Sequence, residues 1–133
     1  MTSSSPSRRV PVVLIVDDNE RNRRLARDVL RAAGLRTIEA ATGASGIALA
    51  TEELPEVILL DLELPDMDGE DVARELRKEA RTARIAVVAL SARPYVGECE
   101  GLLAAGFVGY LEKPIDVNAF PEQVRSYCRP ASA

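Results

Sequence analysis

Asp17, Asp18, Asp61, Ser91 and Lys113 are the residues of this chain whose types and spacing can do chemistry. Carboxylates brought into one crevice repel. A hard divalent cation is the ordinary remedy, since Mg2+ takes carboxylate and carbonyl oxygens while keeping several waters. Such a dication together with Lys113 balances three aspartates. Asp61 needs no base to ionise it, so it can attack phosphorus and give an acyl phosphate. Ser91 cannot be the nucleophile of a triad, because the chain has no histidine, but its hydroxyl can donate to a phosphoryl oxygen. Lys113 is one of only two lysines, with Lys78, against fifteen arginines. A compact ammonium just before Pro114 reads as a point charge aimed at an anion. The Lys113–Pro114 bond is also open to the cis form. Blander roles exist for each: Asp17 or Asp18 as a helix N-cap, Ser91 as a cap or turn residue, Lys113 as a surface lysine. A cap explains one of two adjacent acids and leaves the other, and Asp61, unexplained.

Those residues matter because of the elements that must present them. Val10–Val16 is a continuous β-branched run, as expected of a strand buried on both faces, and it stops at Asp17. Asn19–Ala33 follows as a helix, with Leu25, Val29, Leu30 and Ala33 on one face and Gly34 as its stop. Arg36–Ala40 reads as a short strand and Thr42–Leu54 as a helix ended by Pro55. Val57–Leu60 is a second buried strand, closing on Asp61. A loop over Leu62–Asp68 leads through Gly69 to a helix over Glu70–Arg81, with Val72 and Leu76 inward. Ile85–Leu90 is a third buried strand, ending at Ser91. A weak helix near Glu98–Ala105, a strand over Gly109–Glu112 and a helix over Val117–Cys128 complete the pattern. Five βα units in succession predict an α/β fold, a doubly wound five-stranded parallel sheet with helices on both faces. The ligand site of such a sheet lies at the carboxyl ends of its strands, which is where the five polar residues fall.

Composition narrows the function. The 133 residues suit one domain, with 47% apolar residues to build a core. Seventeen basic against twenty-one acidic residues give a net charge of -4, which argues against direct nucleic-acid binding. The absence of histidine removes imidazole bases, His zinc ligands and any phosphohistidine on this chain. Cys99 and Cys128 are too few for a disulfide framework and read as free thiols in a reducing cytoplasm. Residues 1–9 read as a flexible tail without a signal peptide, 10–128 as the domain and 129–133 as a second tail. No apolar run is long enough to span a membrane.

The segments VDD (Val16–Asp18), LLDLELPDMDG (Leu59–Gly69), ALSA (Ala89–Ala92) and GYLEKPI (Gly109–Ile115) together resemble the receiver domain of two-component response regulators, the CheY-like fold. The resemblance covers roughly residues 10–128 and implies the strand order 2-1-3-4-5 with five helices. It implies that Asp61 accepts a phosphoryl group from the phosphohistidine of a sensor histidine kinase or histidine phosphotransfer protein. Asp18 and Asp61 would bind Mg2+ directly, Asp17 through water, and Glu63 through its backbone carbonyl. Ser91 and Lys113 would hold phosphoryl oxygens, and Tyr110 matches an aromatic position that turns inward as Ser91 moves. A downstream protein target would be met through a face that includes Val96, Leu102, Leu103 and Phe107. The DDNERNRR start and KPID end look most like receivers of phosphorelays and hybrid kinases, whether free-standing or excised from a longer protein. Glu63 and Arg93, two residues past Asp61 and Ser91, are expected to pair at the mouth of the site.

Two other readings compete. A Mg-dependent aspartyl-phosphate phosphatase also uses an acid at a strand end, but wants an aspartate two residues on, where this chain has Glu63. A nucleotide site built on Gly43 and Gly46 lacks the spacing of a dinucleotide fingerprint. The five arginines of the first helix (Arg21, Arg23, Arg24, Arg27, Arg31) read as a solvated face that could meet an acidic partner.

Overall fold

The β-branched runs form the sheet. In the computed structural model, which describes residues 10–91 and 96–128 and the side chains of all of these but 96–100, β1 (Val12–Val16) lies between β2 (Arg36–Ala40) and β3 (Val57–Asp61). β4 (Ala86–Ser91) and β5 (Gly109–Glu112) extend the same sheet. The order is β2-β1-β3-β4-β5 and every pair is parallel. Expectations for residues 1–9, 92–95 and 129–133, Arg93 among them, lie outside the described residues, as do those for the side chains of Val96 and Cys99.

Alternate residues of the inner strands serve two cores, which is why their sequences are apolar throughout. Leu14, Val16, Ile58, Leu60, Val87 and Ala89 face α2 (Gly43–Glu53), α3 (Gly69–Lys78) and α4 (Val96–Ala105). Val13, Ile15, Val57, Leu59, Val88 and Leu90 face α1 (Glu20–Ala32) and α5 (Phe120–Cys128).

Helix ends follow local chemistry. Asn19 caps α1, its side chain accepting the Asn22 amide at 3.0 Å. At the other end Gly34, with φ 94°, lets the Leu35 amide return to the Leu30 carbonyl at 3.0 Å. Helix α3 stops at Lys78 rather than Arg81, because the Thr82 hydroxyl turns back onto the Leu76 carbonyl. Helix α5 starts at Phe120 rather than Val117. The Asp116 carboxylate accepts the Asn118 amide at 3.0 Å and forms a turn first, and Pro121 is tolerated in the first helical turn.

Two expectations about faces need correction. Leu25 is 42% exposed, because the inward stripe of α1 is centred on Ala26 and Leu30 and Leu25 sits a full step around the helix. Leu102 and Phe107 are core residues at 3% and 2% exposure, so of the described side chains expected on that face only Leu103, at 61%, stands on the surface.

Candidate functional site

Each chemically capable residue sits at or just past the carboxyl end of a strand. Strand β1 delivers Asp17, strand β3 ends in Asp61, and strand β4 ends in Ser91. All three are buried, while Asp18, one residue further along the β1 exit, is exposed. Strand β5 runs into Lys113, whose amide donates to the Ser91 carbonyl at 2.9 Å, and the Lys113–Pro114 bond is cis. These residues line one crevice of about 940 Å3, with Asn19, Asn22, Glu63 and Gly69 on its walls.

Carboxylate oxygens of Asp17, Asp18 and Asp61 all lie within 4.8 Å of one another. The Lys113 ammonium bridges two of them, 3.2 Å from Asp17 Oδ2 and 3.3 Å from Asp61 Oδ1. The backbone amide of Glu63 donates to the same Asp61 oxygen at 3.1 Å. Burial raises the Asp61 pKa above the ordinary carboxylate range, outweighing the Glu63 amide and Lys113, and the Asp17 charge adds to the rise. Burial also works against the Lys113 ammonium, but Asp17 and Asp61 more than offset it and its pKa lies above the usual lysine value. Three acids against one ammonium leave negative charge in excess, and the donor set is all oxygen. That suits a hard dication such as Mg2+.

Local geometry gives the capping and glycine positions other partners. Asn19 is the N-cap of α1, so neither Asp17 nor Asp18 is; Asp17 Oδ1 instead accepts the Asn19 amide at 2.9 Å. Glu63 lines the crevice with an exposed side chain and stands outside the acidic cluster. Gly43 and Gly46 do not cradle phosphate. The Gly43 and Ala44 amides at the start of α2 are taken by the Asp66 carboxylate at 2.8 and 3.0 Å. A Cβ on Gly46 would come within 3.0 Å of Val16, so that glycine serves close helix–sheet packing.

Tyr110 is 40% exposed on β5 and does not line the crevice. Sequence reasoning missed two supporting residues. One is Asp66, hidden in a loop whose acids all look alike. The other is Arg23, read as part of a solvated face. Arg23 and Arg27 instead reach across to Glu39 on β2, while Arg21, Arg24 and Arg31 are exposed as expected, Arg31 also donating to the Thr37 hydroxyl. A lone acid in the short strand Arg36–Ala40 was the available signal.

Comparison with known proteins agrees with this geometry. Residues 13–125 match the response regulator receiver domain. The chain belongs to the response regulator receiver family. Among curated relatives of this receiver is the polar-differentiation response regulator DivK of Brucella ovis, 37% identical over 115 residues that cover 86% of this chain and 94% of that protein. A response regulator protein from Burkholderia multivorans has a similar solution structure, with a TM-score of 0.75, 27% identity, and coverage of 94% of this chain and 100% of that one. The chemotaxis response regulator CheY4 of Vibrio cholerae shares the fold at a TM-score of 0.85 and 24% identity, over 90% of this chain and 99% of that one. The receiver thus has the CheY-like fold. Among its described residues no helix is long and apolar enough to cross a membrane.

Proposed function

We propose that this receiver accepts one phosphoryl group on Asp61 from the phosphohistidine of a sensor kinase or phosphotransfer protein, in a Mg2+-dependent reaction. The observation that carries the reading is the acid cluster at the strand ends with Lys113 bridging Asp17 and Asp61. Asp17, Asp18, Asp61 and the Glu63 backbone carbonyl are the groups that would hold the ion. When bound, the dication offsets the negative charge of acids and phosphoryl oxygens in the same crevice.

The rest of the step belongs to the chain. Lys113 and the Glu63 amide hold Asp61 Oδ1, which favours Oδ2 as the attacking atom. The bond that forms joins Asp61 to phosphorus. The bond that breaks is P–N, and its electron pair returns to the donor imidazole, which takes a proton from solvent. The Lys113 ammonium and the Ser91 hydroxyl are then placed to hold phosphoryl oxygens. Ser91 at the end of β4 and Tyr110 on neighbouring β5 would carry the event to the surface, Tyr110 turning inward from its present half-exposed position. Output is then either onward transfer of the phosphoryl group or binding of a protein target.

Incubation with acetyl phosphate and Mg2+ tests the reading. One phosphoryl group per chain is expected by mass spectrometry, with none on Asp61→Asn or in excess chelator. Equal labelling of Asp61→Asn would overturn the assignment. Steady turnover of a small phosphoester would favour a phosphatase instead. Beryllofluoride, a phosphoryl mimic, is expected to shift amide NMR signals of β5 and its flanking helices as well as those of the crevice.

A further inference from the structure

We infer that Arg23, braced by Glu39, is a positioning residue that sets the Asp17–Asp18 peptide and thereby aims the Asp18 carboxylate at the metal. The inference rests on the proposed metal-dependent reading of the crevice. Asp17 is anchored at several atoms. Its amide donates to the Ala40 carbonyl at 3.1 Å, and its side chain accepts from the Asn19 amide and from Lys113. Its carbonyl, at the point where the chain leaves the sheet, accepts Arg23 Nη1 at 2.7 Å. That carbonyl shares a planar peptide with the Asp18 amide, so fixing one fixes the direction in which Asp18 departs. Asp18 is the exposed member of the acid cluster and the one whose aim depends most on its backbone.

The guanidinium can do this because it is held from its other side. Arg23 Nε lies 3.2 Å from Glu39 Oε1, and both side chains are mostly buried, at 17% and 25% exposure. Arg27 approaches the second oxygen of Glu39 at 3.6 Å, which keeps that carboxylate from rotating away. A planar fork that bonds a carboxylate with one nitrogen and a carbonyl with another is a job for arginine. The single nitrogen of lysine cannot span both. Residues that orient metal ligands in this way affect metal affinity by roughly 10-fold or more when removed.

Charge and position predict opposite signs, which makes the test sharp. Arg23 is a cation near a cation site, so electrostatics alone predicts that Arg23→Ala binds a divalent ion more tightly. Positioning predicts weaker binding. Mn2+ titrations of wild type, Arg23→Ala and Arg23→Lys, read as free Mn2+ by electron paramagnetic resonance, decide between them. The expected result is roughly 10-fold weaker binding in Arg23→Ala and a clear loss in Arg23→Lys, whose charge is unchanged. Affinity that is unchanged or tighter in both variants overturns the clamp. Circular dichroism without metal checks each fold, and Arg23→Lys decides alone if Arg23→Ala fails to fold. Asp18→Asn is the control for the site. A wild-type protein that binds no Mn2+ overturns the metal reading and the clamp with it, whereas normal wild-type binding with insensitive Arg23 variants overturns the clamp alone.

Discussion

The Asp66 carboxylate accepts the Gly43 amide at 2.8 Å, joining the loop after β3 to the start of α2. Its other oxygen takes the Ala44 amide, so one side chain occupies two amides that open a helix. The loop it anchors also carries Glu63, whose amide holds Asp61. That loop, bridged on itself between Glu63 and Asp68, is thereby tied to the start of α2.

Removal of that tie is expected to be pH-dependent. The Gly43 and Ala44 amides hold the Asp66 pKa below the ordinary carboxylate value. Its contribution to stability is therefore present above the unfolded pKa of about 3.9 and is lost as pH falls through the lower folded value. Asp66→Ala is expected to melt earlier than wild type at pH 7. The two melting curves should converge in strong acid. A gap of constant size down to pH 2 would show that the carboxylate charge is not what matters.

Among the described residues, Lys113 is the cation that meets the buried acids of the crevice. Lys113→Met leaves Asp17, at 1% side-chain exposure, and Asp61 without their ammonium. Breaking a fully buried pair from one side costs about 3–5 kcal/mol, and because Lys113 is only partly buried a loss at or below the lower end is expected without divalent ions. Mg2+ should restore much of it, since an ion at 100 times its Kd returns about 2.7 kcal/mol. Calorimetric melting with and without Mg2+ checks both halves. A variant that gains no more from Mg2+ than wild type would show that ammonium and metal do not share these acids.

Gly69 packs against the backbone of Asp61 and Leu62. A Cβ there would lie 2.9 Å from Leu62 Cα and 3.1 Å from the Asp61 carbonyl oxygen, so main chain rather than a flexible side chain must move. Gly69→Ala is expected to cost about 1–3 kcal/mol and to slow labelling of Asp61 by acetyl phosphate. Unaltered labelling kinetics in a destabilised variant would confine the role of Gly69 to folding.

Cys128 at the end of α5 is partly buried, and burial pushes its thiol up to about 11. The neutral thiol is favoured by folding, so this contribution is intact below the unfolded pKa of about 8.5 and fades as pH rises toward the folded value. In a Cys99→Ser background, alkylation of native protein at pH 8 is expected to run about 100-fold slower than that of an unfolded thiol. Comparable rates in buffer and in denaturant would contradict the burial.

Much of this receiver was determined by its sequence alone, because short β-branched apolar runs bounded by polar and turn residues suit strands buried on both faces. Val57–Leu60 and Ile85–Leu90 marked the sheet centre, and the polar residue closing each run had to emerge at the same edge. Asp17, Asp18, Asp61, Ser91 and Lys113 were therefore legible as one constellation before any coordinate was known. Tertiary structure decided what depends on pairs distant in sequence. Whether the arginines of α1 were solvated could not be read from α1, since Arg23 and Arg27 find their partner Glu39 on β2. Asp66 was one acid among several in its loop until α2 brought its amides within hydrogen-bonding reach. Leu25 and Leu30 are equally apolar, and only the docking angle of α1 on the sheet placed one in solvent and the other in the core. Periodicity acts along the chain and is visible in it, whereas charge pairing and helix rotation act across space, where the sequence holds no record of distance.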